Sequence, residues 1–551
     1  MAGESLTDLW WKNAIVYCLD VESFLDSDGD GIGDFRGLTE RIDYLAGLGV
    51  TCIWLMPFFP SAQKDDGYDI TDYFSVDPRL GDLGSFTELM QTAEANGIKV
   101  IADLVVNHTS DQHPWFQAAR SDRNSPFHDY YIWSNQKPKG KPSIIFPGEQ
   151  TGNWTYVKNL KQYYFHHFYP FQPDLNRANL AVANEMKEIM GFWLQQGLAG
   201  FRVDAVPFLI EMEETAGIDE MTPHDFLRHL RSFLARRRGD SVLLGEVDLK
   251  PHEQVKYFGN DDELNMVFNF VGNQNLYLAL AREDPDPLRR AIRDLPPISE
   301  TGQWANFVKN HDEANIGGLT PAEQDDVYAA MAPDPSMRLY ERGIRRRLPT
   351  MLNGNQRKIR MAYSLMFSLP GTPVIYYGEE IGMGENLALP GRLAVRTPMQ
   401  WKPTPTGGFT TAKPRDLPRP FPKGDYAPEN VNVYHQRLDE HSMINWMERL
   451  IRRRKETGEF GFGKVKIFDA GAKEVFAHSC EWDGRKVIAL HNFSDSAQEV
   501  RFDSELGDDV VDVFDTWRDV DYPPPVDGRA KVGPYGYRWL RVITRGQEIL
   551  M

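Results

Sequence analysis

Eight short apolar runs separated by helix-like stretches predict an α/β chain: a closed TIM (β/α)8 barrel with a long insertion after the third strand and an antiparallel β-domain at the C-terminal end. Three observations carry this reading. The runs are continuously apolar rather than alternating, which suits parallel strands covered on both faces. Their C-terminal ends turn polar, where a barrel of this kind places its chemistry. After the last run the pattern changes to alternation, as in EVFAHSC, KVIALHNF and YRWLRVI, which suits a sheet with two different faces.

The runs, in order, are IVYCLDV from Ile15, TCIWLMP at 51–57, KVIADLVV at 99–106, GFRVDAV at 200–206, SVLLGEV at 241–247, MVFNF at 266–270, WANFVKN at 304–310 and TPVIYYG at 372–378. Residues 1–106 and 182–458 are therefore assigned to the barrel, 107–181 to the inserted domain and 459–551 to a C-terminal β-sandwich domain. The insertion reads as neither helix nor strand, and a loop of that length is usually functional. Its aromatic tract from Tyr163 to Phe171 is either a small private core or a stacking wall. Residues 313–350 have helical spacing and read as a helical lid. Within them the basic cluster Arg342 to Arg347, in ERGIRRRLP, is expected to be a solvated helix face and not a binding patch. The proline- and glycine-rich stretch 402–428 is expected to be an ordered loop or linker, followed by a helix at about 441–456.

Composition narrows the function classes. A formal charge of −18 speaks against nucleic acid or an anionic membrane as partner. No apolar run is long enough to span a bilayer, and the N-terminal stretch lacks a basic start followed by an apolar core. The expectation is a water-soluble, cytoplasmic protein, with homo-oligomerisation left open. Three scattered cysteines, Cys18, Cys52 and Cys480, suit neither a disulfide framework nor a cysteine metal site.

Two stretches carry chemistry on their own residues. In Gly200–Val206 the alternation of a strand puts Arg202 and Asp204 on one face, so at a barrel mouth the cation would keep Asp204 ionised as a nucleophile; a strand-end salt bridge is the alternative. In Asp26–Asp34 the carboxylates of Asp26, Asp28, Asp30 and Asp34, with the Ile32 carbonyl between the last two, follow the spacing that wraps oxygens around calcium. The glutamate that a full EF-hand carries at its twelfth position is absent, so a loop site is expected, with magnesium as the alternative ion. No organic cofactor is expected.

Together GFRVDAV, LLGEV, DLVVNH and FVKNHDE resemble the four short motifs of the alpha-amylase superfamily, glycoside hydrolase family 13. The resemblance covers nearly the whole chain. It implies Asp204 as nucleophile, Glu246 as general acid/base and Asp312 as the third carboxylate, with Arg202 orienting the nucleophile and His108 and His311 binding sugar hydroxyls. A retaining mechanism needs a raised pKa at Glu246 and a spacing of about 5 Å from Asp204. Lys64-Asp65-Asp-Gly-Tyr68-Asp69 resembles the DxGYD of enzymes acting on a terminal glucose, which implies that Asp65 pairs with Arg396 of RTPMQW to close the pocket and that Tyr68 stacks on the sugar.

The stretches DDGYDITDY, VVNHTSDQHPWFQ, FYPFQPDLN, VDAVPFLIE, GIRRRL and RTPMQW are similar to trehalose synthases, members of that family that interconvert maltose and trehalose. This implies small alpha-glucosides as substrates. It also implies a second calcium site from Asn107, Asp174 and Glu211 with the carbonyls of Phe208 and Leu209. VYCLDVESF and the VDLKP after Glu246 depart from the pattern of those synthases, which keeps a hydrolytic alpha-glucosidase or a transglucosidase with another acceptor open. A non-catalytic, transporter-associated relative would need a membrane anchor and broken motifs, and neither is found.

Overall fold

The computed structural model describes residues 6–139, 142–209, 222–502, 509–515, 525–526 and 528–543. All eight predicted strands form: β1 Val16–Leu19, β2 Cys52–Leu55, β3 Lys99–Leu104, β4 Gly200–Val203, β5 Val242–Gly245, β6 Met266–Phe268, β7 Gln303–Phe307 and β8 Thr372–Tyr376. Each pairs in parallel with the next, and the ring closes where Val16 of β1 lies beside Val374 of β8. The strands are buried almost throughout, which is why they read as unbroken apolar runs. Gly200 opens β4 with φ +152°, and a Cβ there would sit 2.1 Å from the Val242 carbonyl oxygen, so a side chain would break the β4–β5 ladder.

The insertion is more ordered than its sequence suggests. A helix at Pro114–Ala119 packs beside a three-stranded antiparallel sheet, in which Gln162–Phe165 lies between Trp133–Ser134 and Trp154–Val157. The aromatic tract divides between two surroundings. Tyr164 packs against Phe116 inside the insertion, and Phe168 lines the cavity at the barrel mouth.

The longest helix of the 313–350 segment is Pro321–Met331. The rest is a small sheet of Ala314–Asn315, Gly343–Ile344 and Arg338–Leu339, then a short helix at Leu348–Met351. The basic row is not a solvated helix face. Arg347 is 1% exposed and donates to the carbonyls of Val395 and Tyr377; Arg346 reaches Glu385 and the Met331 and Thr350 carbonyls; Arg345 reaches the Leu387 and Leu389 carbonyls. Guanidinium groups satisfy carbonyls of an irregular loop that has no ladder of its own. The 402–428 stretch likewise belongs to the barrel, because Arg419 and Thr410 bond to Asp20, Asp66 and Asp26 beneath its mouth.

The helix at Met443–Glu456 leads to a five-stranded antiparallel sheet in the order 464–467, 475–482, 485–492, 537–543, 509–515, and to a two-stranded sheet, 498–501 with 529–532. Alternation divides the larger sheet. Cys480, Val487, Ala489 and Trp539 face the barrel core, whereas Ala477, Ile488, Leu490 and Leu540 face the two-stranded sheet. Among the described residues no helix is long and apolar enough to cross a membrane.

Candidate active site

Barrel topology brings the ends of β3, β4, β5 and β7 to one mouth. Arg202, near the end of β4 and 1% exposed, is the hub: its guanidinium bonds Asp103 on β3, Asp204 after β4 at 2.5 Å and Glu246 after β5 at 2.7 Å. A Glu246 oxygen also accepts from the Ala205 amide at 3.2 Å, and Ala205 holds φ +50°, a left-handed conformation at the residue after the candidate nucleophile. Desolvation pushes Glu246 up to about 8, against Arg202, and the charges of Asp204 and Asp312 add to the rise. The Glu246 side chain is 24% accessible, but that surface opens onto the pocket, so burial still governs its proton.

Asp312, after β7, behaves in the opposite way. Burial alone would raise it; Arg392, His311, Arg396 and Arg202 together hold it well below the usual carboxylate range. Arg392 and Arg396 lie 3.0 and 3.1 Å from the same oxygen. His311 Nε2 meets the Tyr68 hydroxyl at 2.7 Å, and the two rings stack 5.7 Å apart. His108 Nε2 lies 3.2 Å from the Tyr68 carbonyl, and burial lowers the pKa of both histidines. Asp204, Glu246, Asp312, Tyr68, His108 and His311 thus surround one cavity of about 600 Å³.

The expected Asp65–Arg396 pair is not formed. Asp66 takes Arg396, and it takes Arg419 as well; desolvation would raise this buried carboxyl, but the two arginines bring it down to about 2. Asp66 has φ +51°, so the turn sends the second aspartate of the motif to the arginines while the first faces the cavity. Asp65 accepts from Gln172 at 2.8 Å, and burial pushes it up to about 7 despite Arg392.

Sequence reasoning missed Arg392, Asp66, Asp103 and Lys309. Arg392 stands one short 3-10 turn, Gly391–Val395, before Arg396, a spacing that brings both to Asp312. Its guanidinium lies over Phe146 of the insertion and Tyr340 of the 313–350 segment, at 5.0 and 5.5 Å. Lys309 is 1% exposed beneath the site, with its amine on the carbonyls of Asn310 and Asp312, and burial lowers it to about 7.

The candidate metal sites fare differently. Asp26, Asp28 and Asp34 bring carboxylate oxygens within 4.8 Å of one another, a hard-oxygen donor set that suits a divalent cation. Asp28 is raised by desolvation and by the charges of Asp30, Asp26 and Asp34. Asp30 lies outside that group; its carboxylate accepts from the Ile32 amide at 2.7 Å. Among the described residues, the second ligand set is already engaged with protein groups. Arg177 donates to the Asn107 side-chain oxygen at 2.6 Å and to the Phe208 carbonyl at 2.9 Å, while Asp174 accepts from His167. Glu211 lies outside the described residues, as does the Leu209 side chain.

Residues 19–332 and 344–461 match the family described as alpha amylase, catalytic domain, and residues 484–541 match the sucrose hydrolase-like C-terminal domain. A trehalose synthase of Thermus thermophilus is 40% identical over 535 residues, covering 96% of this chain, which spans 55% of that protein's length. A trehalose synthase/amylase of Mycolicibacterium smegmatis is 40% identical over 85% of this chain and 80% of its own. Among solved structures, alpha-amylase from H. orenii superposes with a TM-score of 0.79 at 28% identity, over 97% of this chain and 100% of that one. With its barrel, its carboxylates and its motifs all in place, the chain belongs to the alpha-amylase family, glycoside hydrolase family 13.

Proposed function

We propose that the protein interconverts maltose and trehalose by intramolecular glucosyl transfer through a covalent intermediate on Asp204. The observation that carries this is one guanidinium shared by Asp204 and Glu246 in a cavity of about 600 Å³. Retention calls for carboxyls about 5 Å apart, and oxygens that share a guanidinium are of that order. The cavity has the size of a small-ligand site, about 300–1,000 Å³, and not of a cleft for a polymer.

An Asp204 oxygen attacks the anomeric carbon as Glu246 gives its proton to the glycosidic oxygen, and glucose leaves. The freed glucose turns in the pocket; its anomeric hydroxyl loses a proton to Glu246 and attacks the same carbon, which releases Asp204. Asp312, held anionic by Arg392 and Arg396, faces the positive charge that develops on the ring. Tyr68, His108 and His311 bind the transferred ring. The segment 313–350 and the insertion 107–181 exclude water where Tyr340, Arg392 and Phe146 meet. Calcium, or magnesium, held by Asp26, Asp28 and Asp34 with Asp30 and the Ile32 carbonyl beside them, would staple the first barrel loop and take no part in the reaction. The three buried free cysteines accord with a cytoplasmic place of action.

A second reading, hydrolysis or transfer to another acceptor, is favoured by Asp248. This carboxyl lines the cavity beyond Glu246, accepts from Asn315 at 2.6 Å, and is pushed by burial up to about 6. It sits where the departing ring must turn. Incubation with maltose, and separately with trehalose, tests both readings: interconversion with little free glucose supports the isomerase, and glucose or new glucosides as main products support the second reading.

A further inference from the structure

We propose that Arg177 is the built-in cation of the junction between the insertion and the barrel, standing where the resemblance implies a metal, and that it positions His108 and the Phe208 wall of the pocket. The guanidinium is 4% exposed and reaches three separate pieces of chain. One nitrogen donates to the Asn107 side-chain oxygen at 2.6 Å and to its carbonyl at 3.3 Å, just after β3. The same nitrogen lies 3.7 Å from Asp174, at the return of the insertion. The other donates to the Phe208 carbonyl at 2.9 Å, in the loop after Asp204.

A divalent ion at this point would need those same oxygens at about 2.3–2.6 Å, six to eight of them. They are committed elsewhere. Asp174 already accepts from the His167 amide at 2.8 Å, from His167 Nδ1 at 2.6 Å and from the Asn107 amide at 3.1 Å. A planar fork with fixed donor directions matches two carbonyls and an amide oxygen better than a point charge does. Among the described residues, its single charge lies beside the carboxylate of Asp174, so the two buried charges compensate each other. His108 follows Asn107 directly and bridges to Asp174, and Phe208 lines the cavity, so loss of the cation would loosen two walls of the site without removing any group that touches substrate.

The test has two parts. Metal content is measured by mass spectrometry on the wild type and on the Asp26→Asn/Asp28→Asn variant. The expected result is no ion left once the Asp26 loop is disabled; an ion retained by that variant would overturn the proposal. In parallel, Arg177→Ala is assayed on an aryl alpha-glucoside with and without millimolar guanidinium. At least a tenfold loss of kcat/KM, restored severalfold by guanidinium, is expected. Wild-type activity, or a folded variant that guanidinium does not restore, would sink the idea. If Arg177→Ala fails to fold, Arg177→Lys, which keeps the charge, replaces it. That variant must fold and recover part of the activity, and an unfolded lysine variant counts against the proposal. Metal content is read independently of turnover, so a failure here is distinguishable from a failure of the maltose and trehalose reading.

Discussion

Arg202 answers to three carboxylates at once, and that sharing decides what each of them can do. Replacing it by leucine leaves Asp103, Asp204 and Glu246 without their common partner, at a cost of about 3–5 kcal/mol for an uncompensated buried charge. Arg202→Leu should therefore lower the melting temperature as well as the activity, which differential scanning calorimetry beside an assay will separate. Asp204→Ala and Glu246→Gln should instead remove turnover while the circular dichroism spectrum and melting curve stay near wild type. The proton on Glu246 sets the pH dependence. Its pKa is raised to about 8, so the acid is present below that pH and lost above it, and kcat/KM should fall along an alkaline limb near pH 8. A profile flat to pH 10 would remove Glu246 as the acid.

At the scale of elements, the contact of Phe146, Arg392 and Tyr340 is where the insertion, the 391–396 turn and the 313–350 segment meet over the pocket. Tyr340→Ala opens that contact without touching a carboxylate. The share of free glucose among products from maltose should rise severalfold, read by chromatography. The Asp26 loop makes its own demand: chelation should lower the melting temperature if an ion binds there. The barrel elements were legible because burial on both faces leaves an unbroken apolar run. The strands of the insertion were not, since WTYV and QYYF are only four residues long and mix aromatic with polar side chains. The Arg345–Arg347 row was misread because its destination is set by carbonyls of a loop some forty residues onward. Asp65 and Asp66 were exchanged because the handedness of a single turn, invisible in a motif, decides which neighbour meets the arginine.

Across the whole molecule, the C-terminal sheet and the barrel share one core through Trp539, Cys480 and Val487. Trp539→Ala should cost about 3–5 kcal/mol and shift a single unfolding transition, not detach a separate one. The charge of the chain and the lining of its pocket have the same sign: Asp65, Asp204, Glu246, Asp248, Glu253, Asp312 and Glu313 face the cavity against Lys250, Arg342 and Arg392. A site built to welcome a positive ring for an instant will also hold a stable cation for as long as one is offered. Buffers of protonated hydroxy-amines should compete with sugar here, and the choice of assay buffer becomes a kinetic variable.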